Sequence, residues 1–185
     1  MSLALDEKKQ WLEGARRLPS PNCDERPPGV DINLVVIHGI SLPPGQYGGP
    51  FVDHLFTNCL DLTIDPYFQE ISHLKVSSHL FIDREGAVTQ YVPFHLRAWH
   101  AGESEFKGRC QCNDFSIGIE LEGCDDEPYT PRQYETAAGI IRLLKISWPG
   151  IARDHIVGHS DVAPGRKTDP GPGFDWAYLD SLLSN

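Results

Sequence analysis

The spacing of apolar residues along the chain predicts strands that alternate with helices. Residues 34–37 form a compact run of Leu, Val and Ile, which predicts a strand buried on both faces. Residues 116–122 alternate apolar and polar side chains, which is the period of a strand. After Pro131, apolar residues recur at helical spacing as far as Leu144, which predicts a helix with one buried face.

Shorter patterns predict the remaining elements. We expect helices over residues 5–17, 50–57 and 175–183, a hairpin of residues 78–83 and 88–92, a strand over 155–159 and a loop over 161–173. Strands that alternate with helices indicate an α/β fold, in which a mixed central β-sheet is flanked by helices. The length of 185 residues suits a single domain, residues 1–185.

The charge balance narrows the classes of partner. The chain carries 16 Lys and Arg against 26 Asp and Glu, a formal net charge of -10. A surface this acidic repels phosphate backbones and anionic lipid, so we expect neither nucleic acid nor a membrane as a partner. The first residues, MSLALDEKKQWLEGARR, lack the basic and apolar regions of a secretory signal. No apolar run approaches the roughly 18 residues of a membrane span, so we expect a cytoplasmic protein.

The cysteines do not predict a disulfide framework. They are odd in number and scattered, which favours reduced thiols, and they are Cys23, Cys59, Cys110, Cys112 and Cys124. Cys110 and Cys112 form a C-x-C pair, and a role for this pair as metal ligands stays open. Structural zinc usually requires a wider C-x-x-C spacing and a second pair of ligands.

Three residues that could carry chemistry lie at or near predicted strand ends: His38, Glu120 and His159. The loops after strand ends are where α/β folds place ligand-binding groups. His155 and His159 are four residues apart, a spacing that on a helix directs both rings at one metal ion. The intervening Ile-Val-Gly argues against a helix, and four residues of strand span about 13 Å, too far for two ligands of one zinc. Only one of this pair can therefore bind a given metal.

Two further pairs are open to more than one interpretation. Lys167 and Asp169 are two residues apart, so an extended backbone directs both to one side, where they could bind zinc and stabilise a negative oxygen. Spacing alone favours a solvated ion pair instead. Glu120 and Glu122 share a strand face about 6.6–7 Å apart, which leaves an inverting glycosidase pair open. No G-x-S-x-G, G-x-G-x-x-G or P-loop pattern occurs, which disfavours serine-hydrolase and nucleotide chemistry.

Several long motifs, in this order, carry a resemblance to a known family. The blocks are RRLPSPN, VVIH followed by ISLPPGQYGGP, RAWHAG, NDFSIGIELEG, and VGH followed by APGRKTDPGPGFDW. Together they extend over nearly the whole chain and closely resemble the cytoplasmic N-acetylmuramoyl-L-alanine amidases of cell-wall recycling. The resemblance implies the mixed sheet of the peptidoglycan-recognition proteins and the phage lysozyme-type amidases.

The resemblance also implies roles for individual residues. It implies one Zn²⁺ per chain, bound by His38, His159 and Asp169. It implies a catalytic carboxylate at Glu120 rather than Glu122, which periodicity could not separate. The other implied roles are a catalytic lysine and contacts with the substrate, at Lys167 and at Tyr67, His79 and Trp99. Lys75 and Gln111 stand where the enterobacterial members carry arginines, a difference that bears on the binding of the peptide stem.

The implied reaction is hydrolysis of the amide bond between the lactyl group of N-acetylmuramic acid and L-alanine in anhydro-muropeptides. An influence on β-lactamase induction is implied by analogy. A recognition module that binds muropeptides without cleaving them is the main alternative, but such members lose a metal ligand. A lytic amidase acting on intact wall is a second alternative, which the absence of a signal sequence disfavours. We expect a monomer.

Overall fold

The computed structural model describes residues 4–8 and 10–184 and centres on a six-stranded mixed sheet. The strands in this part of the chain are β1 (Ala4–Leu5), β2 (Leu12–Glu13), β3 (Arg16–Arg17), β4 (Cys23–Glu25), β5 (Leu34–Ile40), β6 (Leu80–Ile82), β7 (Val88–Gln90), β8 (Leu96–Ala98), β9 (Glu105–Phe106), β10 (Arg109–Cys110), β11 (Ser116–Glu122) and β12 (Ile156–Gly158). The order in the large sheet is β12-β5-β11-β6-β7-β3. The mixed sheet that the sequence predicts is therefore present.

The helices begin at residues suited to their first turn. They are α1 (Phe51–Phe56), α2 (Pro66–Glu70), α3 (Pro131–Ser147), α4 (His159–Val162) and α5 (Trp176–Leu183), with 3-10 turns at Cys112–Asp114 and Arg153–His155. Thr130 and Gln133 form a capping box at the start of α3, which satisfies two backbone N–H groups there. The side chain of Asp175 accepts from Tyr178 N and caps α5. No helix among residues 4–8 and 10–184 is long and apolar enough to cross a membrane.

The register of the parallel strands sets the positions of the candidate residues. Strands β12, β5, β11 and β6 run parallel, so their carboxyl ends meet at one edge of the sheet. His38 on β5 stands opposite Glu120 on β11. Gly158, which precedes His159, stands opposite Ile37 on the other side of β5. The three residues predicted to lie near strand ends are therefore neighbours.

The two faces of the sheet are covered differently. Val35 and Ile37 of β5 and Ile117 and Ile119 of β11 pack against α3 and α5 in the largest apolar cluster, and all four are fully buried. We call this side the core face. On the opposite side, which we call the site face, His38 follows Leu34 and Val36, whose side chains pack in a smaller cluster. The alternation of β11 thus directs its apolar residues to the core face and its polar residues to the site face, whereas β5 is apolar on both faces as far as His38.

The helix predicted over residues 5–17 is wrong. The segment forms β1, β2 and β3 instead, and Lys9 within it lies outside the described residues. The carboxylate of Asp6 accepts from the N–H groups of Gln10 and Trp11, and Gly14 has a φ of +83°, so the chain turns twice in this stretch. Strand β3 then pairs with β7. Pairing with a distant strand outweighed a local apolar spacing that resembled a helix.

Most other predicted elements are confirmed, with shifted ends. The predicted hairpin is the antiparallel pair β6 and β7, and the predicted strand at 34–37 continues to Ile40. The strand predicted over 155–159 is shorter, because His155 ends a 3-10 turn and His159 begins α4. The loop predicted from residue 161 accordingly starts after α4, and the helices predicted near residues 50 and 175 are α1 and α5.

Candidate active site

Three side chains from different parts of the chain converge at the carboxyl ends of the parallel strands. His38 Nδ1 lies 3.0 Å from His159 Nδ1, and both nitrogens lie close to Asp169 Oδ2, at 3.0 and 3.1 Å. Tetrahedral ligands at about 2.0–2.2 Å from zinc are roughly 3.3–3.6 Å apart, only slightly wider than this triangle. Within the described chain these three residues form the group that could hold a metal ion.

The outer nitrogens of the two imidazoles have partners that suit metal binding. His159 Nε2 lies 3.2 Å from the carbonyl oxygen of Ala101, which can only accept, so this nitrogen carries the proton. His38 Nε2 lies 2.9 Å from His100 Nδ1, and His100 Nε2 lies 3.1 Å from Ser116 Oγ. With the proton on Nε2 of each ligand ring, both Nδ1 lone pairs face the centre of the triangle. Such outer partners orient metal-binding histidines in known metal sites.

Burial favours a neutral His38 ring beside an ionised Asp169 carboxylate. Burial lowers the pKa of His38 to about 4. Burial also lowers the pKa of His100 well below its usual value. Burial alone would raise the pKa of Asp169, but the adjacent His159 and His38 outweigh it and hold that pKa below its usual range. Two histidines and one carboxylate are a normal ligand set for a catalytic zinc, which keeps one further coordination position open.

The space for His100 depends on a glycine in β11. A Cβ placed on Gly118 would lie 2.6–2.8 Å from three atoms of the His100 ring, closer than real Cβ atoms approach. The glycine therefore lets the imidazole lie flat against the strand, between His38 and Ser116. The backbone N–H of Gly118 donates to His79 Nδ1 at 3.0 Å on the same side.

Glu120 and Glu122 differ sharply although both point from the site face of β11. Glu122 accepts from the backbone N–H groups of Gly48 and Arg84, so both of its oxygens are engaged. Glu120 is 8% exposed, and its Oε2 is a buried atom without a hydrogen-bond partner within the described chain. Burial raises the pKa of Glu120 well above its usual value, Asp169 raises it further, and Lys167 opposes the shift. Glu120 is thus available to exchange a proton, whereas Glu122 serves the packing of two loops.

The loop after α4 brings Asp169 and Lys167 to the site. Ser160 N donates to Asp169 O at 3.0 Å, and Lys167 N donates to Ala163 O at 3.1 Å. The carboxylate of Asp169 joins the metal-binding group, and the ammonium of Lys167 is exposed at the rim. The solvated ion pair that spacing alone favours is therefore not the arrangement found for Asp169.

These residues line one end of a cleft of about 490 Å³. Glu120, Lys167 and the three metal-binding residues form its polar end. Its apolar lining includes Ile40, Leu42, Leu55, Phe56, Ile71, Leu74 and Val76. A mainly apolar cleft with a few converging polar groups is the usual form of a small-molecule site.

The residues expected to contact the substrate are placed differently from one another. Tyr67, in the first turn of α2, lines the cleft. His79 is fully buried, accepts from Gly118 N and lies 3.1 Å from the carbonyl oxygen of Leu96. Trp99 donates from its indole nitrogen to Asp24 and is not among the cleft residues in the described chain.

Comparison with known proteins identifies the family. The family model described as N-acetylmuramoyl-L-alanine amidase matches residues 28–172. The chain is also 55% identical over 174 residues to the 1,6-anhydro-N-acetylmuramyl-L-alanine amidase AmpD of Escherichia coli strain K12, and the match covers 94% of each protein. The chain belongs to the N-acetylmuramoyl-L-alanine amidase family.

Solved structures of amidases share the fold. A crystal structure of a selenomethionine AmpD derivative has a TM-score of 0.93 and 53% identity, covering 97% of this chain and 98% of that one. The amidase AmiD of E. coli was solved with the substrate anhydro-N-acetylmuramic acid-L-Ala-D-gamma-Glu-L-Lys. It has a TM-score of 0.59 and 25% identity, covering 98% of this chain and 65% of that one. The fold that the resemblance implied is confirmed.

Sequence reasoning missed two contacts of this amidase-family centre. His100 and the carbonyl of Ala101 lie against the outer nitrogens of His38 and His159. Both residues lie in the RAWHAG block, which carried the resemblance without a role for its histidine. No periodicity relates this block to β5 or α4. The interpretation of His155 agrees with the structure, since its Nδ1 lies 2.8 Å from Asn33 O and it stands outside the metal-binding group.

Proposed function

We propose that this protein is a zinc-dependent amidase that cleaves the bond between the lactyl group of N-acetylmuramic acid and L-alanine in anhydro-muropeptides. The observation that carries the proposal is the meeting of three metal-ligating atoms with an unpartnered buried carboxylate at one end of a cleft. The E. coli relative is named for this reaction, and the AmiD structure contains a muropeptide of this kind.

His38, His159 and Asp169 would hold one zinc ion. Their ligand atoms are spaced for a single ion. The outer nitrogen of His38 already has His100 as its partner, and that of His159 has the carbonyl oxygen of Ala101. When bound, zinc supplies a Lewis acid that polarises the scissile carbonyl and lowers the pKa of water to about 7. A non-catalytic recognition module requires none of the proton-transfer groups beside this centre.

Glu120 moves the proton in the proposed reaction. Its Oε2 has no protein partner, so it can accept a proton from the attacking water and return it to the departing L-alanine nitrogen. Burial raises the pKa of Glu120, which brings a carboxyl group closer to the range in which it both takes and releases a proton. Glu122 is unsuited to this role because both its oxygens accept from backbone N–H groups.

Lys167 stabilises the negative charge that develops on the carbonyl oxygen. Its side chain lines the cleft beside Glu120 and Asp169, and its ammonium is solvent-exposed and free to approach a bound substrate. A well-placed donor of this kind is worth about 2.7–4 kcal/mol of transition-state stabilisation in other enzymes.

Tyr67 would contact the substrate directly, because it lines the apolar part of the cleft. His79 and Trp99 are also proposed to contact the substrate, although neither is among the cleft residues in the described chain and His79 is fully buried. The ring of His79 accepts a hydrogen bond from Gly118 N, and Trp99 follows Ala98, the last residue of β8. Lys75 and Gln111 are both exposed, and they would affect the binding of the peptide stem.

The wider setting follows from the same proposal. A cytoplasmic, monomeric enzyme of one domain (1–185) would act on soluble muropeptides released during peptidoglycan recycling. Removing those fragments would also lower any signal that they send to β-lactamase expression.

Mass spectrometry of the products tests reaction, substrate and metal together. The zinc-loaded protein is incubated with anhydro- and non-anhydro-muropeptides, and release of the intact stem peptide is followed. We expect release that stops on chelation and returns with zinc, and we expect Asp169→Ala to lose both stoichiometric zinc and turnover. Binding without cleavage, or turnover that survives chelation, would contradict the proposal.

A further inference from the structure

The alternation of β5 and β11 is interrupted by glycine at the end of the core face. On β5 the core-face positions hold Val35, Ile37 and then Gly39; on the other strand the series ends at Gly123, just after β11. Both glycines lie where the strands reach the cleft. The missing side chains leave a gap in the apolar layer directly beneath the metal-binding residues.

The ring of Tyr129 fills this gap. A Cβ on Gly39 would overlap the Tyr129 hydroxyl oxygen, and a Cβ on Gly123 would overlap the edge of the ring. Tyr129 is 5% exposed and contacts Phe174, with 5.4 Å between the ring centroids. Its backbone is held by the next residue, Thr130, which caps α3. The ring therefore enters the gap from a rigid element.

The Tyr129 hydroxyl ends at the loop that supplies a metal ligand. It donates to the carbonyl oxygen of Pro170 at 3.0 Å, one residue after Asp169. Proline has no N–H, so the carbonyl is the backbone group of Pro170 that can form a hydrogen bond. The carbonyl of Asp169 is held from the other side by Ser160 N, also at 3.0 Å. Burial raises the pKa of Tyr129, so the hydroxyl keeps its proton and remains a donor.

We propose that Tyr129 is a positioning residue for the metal centre, which holds Asp169 in its ligand position through the Pro170 carbonyl. The inference rests on the proposed zinc chemistry. It explains why Gly39 and Gly123 are glycines, since a side chain at either position would displace the Tyr129 ring. Tyr129 itself need not contact the metal or the substrate.

Tyr134 provides a matched control for Tyr129. It too is a buried tyrosine in contact with Phe174, and its hydroxyl accepts from a single backbone group, Asp175 N. That contact lies six residues beyond Asp169. Y129F and Y134F each remove one hydroxyl and one hydrogen bond from the same apolar cluster, but only Y129F releases the segment next to the metal ligand.

The test measures zinc affinity by competition with a chromophoric chelator, together with urea unfolding of each protein. We expect Y129F to weaken zinc binding about tenfold, the smaller end of the loss seen when outer partners of metal ligands are removed. Y134F should bind zinc like the wild type while losing similar stability. At saturating zinc, kcat of Y129F should return toward the wild-type value, a rescue that a general loss of stability would not show. Equal zinc affinity of Y129F and the wild type would overturn the proposal.

G39A gives a second, independent measurement. In the wild-type background its Cβ displaces the Tyr129 hydroxyl, so zinc affinity should fall at least as far as in Y129F. In the Y129F background the nearest ring atom, Cζ, is 3.4 Å from that Cβ, an ordinary contact, so G39A should cost no further affinity. Additive losses would overturn the role of the hydroxyl. If the wild type binds no zinc, the proposed function fails instead, which separates the two outcomes.

Discussion

The core face and the site face of the same two strands obey different rules. On the core face, Ile117 and Ile119 are fully buried against α3 and α5. What these positions require is an apolar side chain of the right volume to fill the core. On the site face of β11, each residue makes a different contact. Ser116 bonds His100, Gly118 makes room for that ring, Glu120 faces the cleft and Glu122 holds two loops. One face specifies the fold, and the other specifies the chemistry.

The two glutamates show the same contrast on a smaller scale. Glu122 is satisfied by backbone N–H groups, whereas Glu120 is buried with an oxygen that has no partner in the described chain. Unsatisfied buried groups cost stability, and they concentrate where function requires them. Substitution of Glu120 on the site face should therefore change activity more than stability, and substitutions on the core face should change stability more than activity.

The largest expected effect is on turnover. Glu120→Ala removes the proposed proton carrier, so kcat should fall by about 10²–10⁴ while zinc remains stoichiometric. The measurement is kcat together with metal content of the purified protein. Glu122→Gln is the control on the same face, and it should lower stability while kcat stays within a few fold. A kcat of Glu120→Ala near the wild-type value would remove Glu120 from the proton-transfer role.

A core-face substitution should do the reverse. Ile119→Ala leaves a cavity under α3 and should lower the free energy of unfolding by about 2–5 kcal/mol. The folded fraction should still bind zinc with wild-type affinity, because the removed atoms lie on the core face, on the other side of the sheet from His38. Urea unfolding and zinc competition check the two parts. A large loss of zinc affinity in the folded protein would show that the faces are not independent.

A smaller effect is expected at the outer partner of His38. His100→Gln removes the ring whose Nδ1 lies against His38 Nε2, so zinc affinity should fall by about 10–100-fold. His155→Gln changes a histidine outside the metal-binding group and serves as the control. If both variants bind zinc like the wild type, the outer contact does not contribute to the site.

The smallest effect has the opposite sign. The folded state raises the pKa of Glu120 above the ordinary value of 4.5, so the fold disfavours the ionised carboxylate at any higher pH. Glu120→Gln should therefore raise the free energy of unfolding of the zinc-free protein at pH 7, because the amide carries no charge to bury. The gain should shrink as the pH falls through the raised folded-state pKa of Glu120, and it should disappear well below pH 4.5, where the wild-type carboxyl is protonated in both states. Urea unfolding at pH 7 and pH 5 measures it, and an equal or lower stability at pH 7 would contradict the burial argument.

Local pattern was sufficient where one physical effect dominated. The alternation of β11 follows its apolar core face, and the apolar stripe of α3 follows the face that this helix buries, so the bounds of both were predicted closely. The segment containing β1 to β3 was mispredicted because its conformation depends on the Asp6 turn, on Gly14 and on pairing with β7. Such contacts join residues far apart in the chain and leave no local period.

The candidate site divides in the same way. The sequence by itself determined the sheet class, the exclusion of a His155–His159 metal pair and, through the family motifs, the family of the protein. Only the tertiary structure decided that His38, His159 and Asp169 share one point, and that Glu120 rather than Glu122 has an oxygen without a partner in the described chain. It also decided that His100 lies against His38 and that the Tyr129 hydroxyl donates to Pro170. The physical reason is that periodicity reports which face a side chain takes, whereas a partner for each polar atom is assigned only when distant segments pack together.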